Sequence, residues 1–192
     1  SINMNTANAL LKVSEEEAEG IPEGTLKAYQ TEDGKYEIPV IPATRRPVLN
    51  NAAREATRKS YYFLYQNRAY EKNLDILQLL VEKRYELAQL MGYRSYAEYT
   101  TSRKMSKNPE AVWSFLEDLI DRTGQKAQTD LTRLRMSRNA QAGEVTTDAV
   151  KQWDVAYYRN QILKEEYQVD HEMIREYLPM NQCLEGMLAI YS

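Results

Sequence analysis

The chain has 192 residues, 43% of them hydrophobic, which is enough for one domain or two small ones with a real core. Its 25 basic and 28 acidic residues leave a net charge of −3 with no long block of one sign, which excludes a nucleic-acid face. No apolar run approaches the roughly 20 residues of a membrane span, and the single cysteine, Cys183, excludes an intramolecular disulfide and a cysteine-based zinc cluster.

In chain order, Ser1 to Leu10 lacks the basic-then-apolar layout of a secretory signal, so a cytoplasmic setting is expected. Ala7 to Val13 reads as a short helix, followed by acidic Ser14 to Glu19 and a turn at Gly20-Ile21-Pro22-Glu23-Gly24. Asp33-Gly34 marks a second turn. Lys35 to Ile41 is β-rich and partly alternating, with Pro39 restricting it to an edge or a two-stranded piece. Pro42 and Pro47 are expected to end it.

Helical spacing starts at Val48. Leu49, Ala52, Ala53, Ala56, Ser60, Phe63 and Leu64 share one face, with Arg54, Arg58 and Lys59 largely elsewhere. A helix from Leu74 to Met91 aligns Leu77, Leu80, Val81, Arg84 and Ala88, and Gly92 stops it. Ser95, with Glu98 three residues on, caps a short helix. Asn108-Pro109-Glu110 then opens the longest helix, running to about Arg138: a capping side chain, a proline at the first helical position and an acid in the first turn. Val112, Phe115, Leu116, Leu119, Ile120, Thr123, Ala127, Leu131 and Leu134 form its apolar stripe, expected to pack in a core rather than form a partner groove. Gly124 is a candidate bend. Ala142-Gly143 ends the region.

Thr147 to Trp153 reads as a further helical piece. Asp154 is the expected N-cap of Val155 to Tyr167, and Asp170 of Glu172 to Tyr177, which Pro179 breaks. Leu184, Met187, Leu188 and Tyr191 lie at steps of three and four in a helix that stops without a glycine cap or a polar tail, the pattern expected of a cut chain. The expected fold class is mainly α: a helical bundle with one minor β element, residues 1–47 irregular and residues 48–192 a helical domain.

Catalytic signatures are missing. His171-Glu172 begins His-Glu-Met-Ile-Arg, but a zinc peptidase helix needs His-Glu-x-x-His, and the fifth position is Arg175, a fixed cation. No other histidine exists, so no Ser–His or Cys–His pair can be assigned, and Cys183 reads as an inert buried thiol. Three tyrosine-rich groups occur: Tyr61, Tyr62 and Tyr65; Tyr93, Tyr96 and Tyr99; Trp153, Tyr157 and Tyr158. Packing between helices, with hydroxyls reaching backbone, is preferred over a peptide groove. No catalytic, cofactor-binding or metal residue is assigned.

Four stretches carry a resemblance. Leu90 to Tyr99 (Leu-Met-Gly-Tyr-Arg-Ser-Tyr-Ala-Glu-Tyr), Met105 to Val112 (Met-Ser-Lys-Asn-Pro-Glu-Ala-Val), Trp153 to Tyr158 (Trp-Asp-Val-Ala-Tyr-Tyr) and Arg175 to Pro179 with Leu184-Glu185-Gly186 resemble, in this order, segments of the thimet oligopeptidase family of zinc peptidases. The Ile38-Pro39 strand and the Arg54 to Tyr61 helix fit as well. The resemblance implies a larger helical metallopeptidase that hydrolyses short peptides in a deep channel. In that family the zinc ligands lie beyond the Arg-x-Tyr stretch, so this chain is expected to be an inactive upstream fragment: zinc in the intact parent, none here. Its expected partners are short peptides in that parent, the missing catalytic portion, and a second copy through bare apolar faces, with no nucleic acid and no membrane. The alternative is a non-catalytic helical interaction module.

Overall fold

The computed structural model describes residues 9–168, 173–174 and 177–191. The expectations for His171, Glu172, Asp170 and Arg175 fall outside the described residues. Among the described residues the fold is mainly α, with one two-stranded sheet. The chain divides into two compact units, residues 10–64 with 134–191, and residues 65–133.

The first unit holds most of the core. Strand β1 (Leu10–Val13) pairs antiparallel with β2 (Tyr36–Pro39), with Leu11 opposite Ile38 and Lys12 opposite Glu37. Alternation puts Leu11, Val13 and Ile38 inside, while Lys12 and Glu37 form an ion pair on the other face at 2.7 Å. The expected helix at Ala7 to Val13 is therefore a strand over its described part: an apolar run this short is decided by its pairing partner, not by its own period. Pro39 sits at the sheet's end opposite Leu10, as an edge proline must.

After α1 (Glu23–Ala28), α2 (Pro42–Asn51) starts six residues earlier than the spacing indicates. Pro42 does not end a strand but opens a helix, at a position where its missing N–H costs nothing, and Pro47 lies inside that helix. Residues 52–54 break the expected single helix, and α3 (Glu55–Gln66) follows. Its buried face is Thr57, Arg58 and Tyr61, not Phe63 and Leu64, which are exposed. The loop before α1 is locked onto α3: Thr57 Oγ1 donates to Glu17 O at 2.7 Å, Ala53 N–H to Glu19 O at 2.8 Å, and Arg54 pairs with Glu16. Gly20 allows this approach. Its φ is +84°, and a Cβ there would stand 2.3 Å from Asn51 O.

The second unit contains α4 (Tyr70–Leu90), α5 (Tyr96–Thr101), which packs on α4, and the first 25 residues of α6 (Pro109–Ala142). Gly92 (φ +83°) ends α4 as expected. Ser95 Oγ accepts from Glu98 N–H at 3.1 Å, while the Glu98 carboxylate reaches back to Arg94 N–H rather than to Ser95. Asn108 caps α6: its Oδ1 accepts from Ala111 N–H at 2.8 Å. The helix runs through Gly124 without interruption over 34 residues, about 51 Å at 1.5 Å per residue. The expected core packing of its stripe is not met, since no residue of α6 is buried. Within residues 65–133 Ala88 is the one buried residue among those described.

Beyond Gly143 (φ +67°), Thr147 to Trp153 is not helical. Helices α7 (Val155–Tyr167) and α8 (Met180–Tyr191) follow; α7 packs against α2, and α8 exposes Leu184, Met187, Leu188 and Tyr191.

Candidate functional site

The most highly built polar cluster lies in the first unit, where the end of α2, the start of α3 and the N-terminus of α7 meet. Its centre is Arg58, only 2% exposed. Its Nε donates to Asp154 Oδ1 at 2.8 Å and its Nη2 approaches the same oxygen at 2.6 Å. Nη1 donates to the carbonyls of Ala52 (2.8 Å) and Ala53 (2.7 Å), which close the C-terminal end of α2. The guanidinium also lies over the Tyr157 ring, 4.1 Å from its centroid. One cation thus serves a carboxylate, two helix-end carbonyls and a π face, the set that lets a planar fork be buried.

Asp154 precedes α7 as its N-cap, but its side chain makes no cap bond. The carboxylate goes to Arg58 instead. Burial pushes its proton affinity above the ordinary aspartate range, and the Arg58 hydrogen bond and charge pull it back only in part. Burial likewise raises Tyr158, helped by the nearby Asp154 charge. One turn on, Asn160 Nδ2 donates to Asn50 O (3.1 Å) and to Asn51 Oδ1 (3.2 Å), so a second buried polar group ties α7 to α2. Tyr61 ties α3 to the start of α2: its hydroxyl meets Thr44 Oγ1 at 2.9 Å and donates to Ile41 O at 3.0 Å. These hydrogen bonds and the Arg58–Asp154 ion pair hold three chain segments together.

The aromatic groups make ring contacts with one another. Tyr62 lies 6.2 Å from Trp153 and Phe63 5.7 Å from it, which joins two of the three sequence groups. The Trp153 indole N–H donates to Glu55 Oε1 at 3.1 Å, and Lys59 Nζ sits 5.3 Å from the ring. Tyr93 and Tyr96 each face Tyr99, at 5.4 and 6.0 Å; Arg84 covers Tyr96, and Ser102 Oγ donates to the Tyr93 hydroxyl at 3.3 Å.

Sequence reasoning missed Arg58 as a buried group. The available signal was the alignment of Thr57, Arg58 and Tyr61 on one turn, together with Asp154 at a helix start. Cys183, expected buried, is exposed. A zinc site does not fit the described residues: no three of His, Cys, Asp and Glu converge among them. No helix among the described residues is long and apolar enough to cross a membrane.

The model of Peptidase family M3 matches residues 48–192. Oligopeptidase A of Escherichia coli (strain K12) is 29% identical over 94% of this chain and 28% of its own length. Saccharolysin of Saccharomyces cerevisiae is 30% identical over 100% of this chain and 28% of its own length. Thimet-like oligopeptidase of Dictyostelium discoideum is 27% identical over 100% of this chain and 30% of its own length. The chain spans less than a third of the length of these relatives.

Proposed function

The chain belongs to peptidase family M3, and on that premise we propose that it is the N-terminal-side portion of a zinc-dependent oligopeptidase acting on short peptides. Its role in that reading is scaffold: the Arg58–Asp154 cluster fixes α2, α3 and α7 as one wall, while the metal-binding groups come from the rest of the polypeptide. The observation that supports this is a family match across residues 48–192 on a segment whose described residues offer no metal donor set. Short peptides and the remaining polypeptide are the proposed partners, and the cytoplasm the proposed setting. The alternative, a non-catalytic interaction module, draws on the bare apolar side chains of α6 and α8.

A fluorogenic oligopeptide assay with parallel zinc analysis tests the reading. The 192-residue chain should neither turn over nor hold stoichiometric zinc, whereas a polypeptide extended through a His-Glu-x-x-His segment should do both and lose activity to a chelator. Turnover by the short chain, or chelator-resistant turnover by the long one, overturns it. A gene whose sequence beyond Ser192 has no such segment favours the interaction module.

A further inference from the structure

Resting on that reading, we propose that the apolar stripe of α6 from Trp113 to Leu131 is the surface on which the zinc-bearing portion of the same polypeptide docks.

A 34-residue helix needs tertiary cover, because most helical stability in proteins comes from burying an amphipathic face. Here Trp113, Phe115 and Ile120 are each about two-thirds exposed, and Leu116, Leu119 and Leu131 are 38–48% exposed. Trp113, Leu116, Ile120, Ala127 and Leu131 follow one another at helical steps, so the bare groups form a stripe and not a scatter. Among the described residues of 65–133 only Ala88 is buried, and α5 packs on α4, so that unit supplies little cover for the stripe.

The charge pattern of α6 selects among occupants. Residues 109–121 carry Glu110, Glu117, Asp118 and Asp121 with no base, whereas residues 122–142 carry five bases and one acid. A second copy aligned parallel would set acid against acid. An antiparallel copy would oppose unlike charges, but it would lay the five large apolar groups Trp113, Phe115, Leu116, Leu119 and Ile120 over a second half whose large apolar groups are Leu131, Leu134 and Met136. Neither self-pairing satisfies both patterns. The first half instead fits a surface that is apolar at its centre and basic at its rim. The family match includes all of α6, and this chain spans only 28% of each of two relatives, so those relatives have further chain available to cover such a helix.

The test is amide hydrogen exchange read by mass spectrometry, on the 192-residue chain and on the polypeptide extended through the zinc segment, each with its mass determined by sedimentation. Exchange across residues 113–131 should slow at least a hundredfold in the extended polypeptide relative to the chain. Ile120→Asp should abolish that slowing; Ile120→Val, a milder variant certain to test the same contact, should reduce it while the fold persists. Gln125→Ala, on the opposite face of the helix, should leave it unchanged. Equal exchange in both proteins overturns the proposal, and so does protection in the short chain accompanied by a dimer mass, which assigns the stripe to a second copy. Loss of zinc or turnover in an extended polypeptide with protected α6 counts against the peptidase reading and not against the docking surface.

Discussion

Replacing Arg58 by methionine removes the group that is hydrogen-bonded to and ion-paired with Asp154, and the consequences can be worked from the contacts. The ion pair is nearly inaccessible, with side chains 3% and 5% exposed. Two carbonyls, Ala52 O and Ala53 O, lose their guanidinium donor, and the Tyr157 ring loses its cation. Breaking a buried pair by deleting one partner costs about 3–5 kcal/mol. For a chain of this size that corresponds to a fall in Tm of about 6–20 °C. Asp154→Asn should cost less, about 1–3 kcal/mol, because the amide oxygen still accepts from Arg58. The double variant should cost less than the two added together, because the second change no longer strands a charge. The pH dependence has a definite sign. The folded Asp154 holds its proton more readily than the unfolded group with its ordinary value of 3.8, so its contribution is largest below that value and declines as pH rises through the raised one. The stability gap between the wild-type chain and Asp154→Asn should therefore be wider in acid than at neutral pH, and the penalty of Arg58→Met should shrink in acid, where Asp154 can be neutral. Urea unfolding followed by circular dichroism at several pH values measures all three variants. A cost below about 1 kcal/mol for Arg58→Met at neutral pH, or an additive double variant, would refute the argument.

Asn108→Ala should lower stability by about 1 kcal/mol in the same urea assay, through the lost bond to Ala111 N–H, and Asn108→Ser should restore most of it. Gly20→Ala should cost about 2 kcal/mol or more, because φ is +84° and the added Cβ meets backbone at Asn51 O; a neutral result would mean that the loop does not approach α2 this closely.

Elements whose information is local were legible in the sequence. The α6 start needs only Asn108 and Pro109, the end of α4 only Gly92, and the α5 start only Ser95, since caps act over three or four residues. Pro39 announced a marginal sheet for the same reason. The peptidase resemblance also lay in the sequence, carried by ordered motifs such as Trp153-Asp154 and Tyr157-Tyr158. Other features waited on tertiary contacts. Leu10 to Val13 is a strand only because residues 36–39 lie beside it. Arg58 counts as an outward charge on its own helix and becomes the centre of a buried cluster only when Asp154, 96 positions away, reaches it. The apolar stripe of α6 predicts burial but not by what, because periodicity records a face and never the identity of the surface that meets it. Where helix period and cap chemistry sufficed, the sequence by itself determined the outcome; where a side chain had to choose between solvent and a distant partner, only the packed chain decided, because the cost of burying a charge depends on what waits for it there.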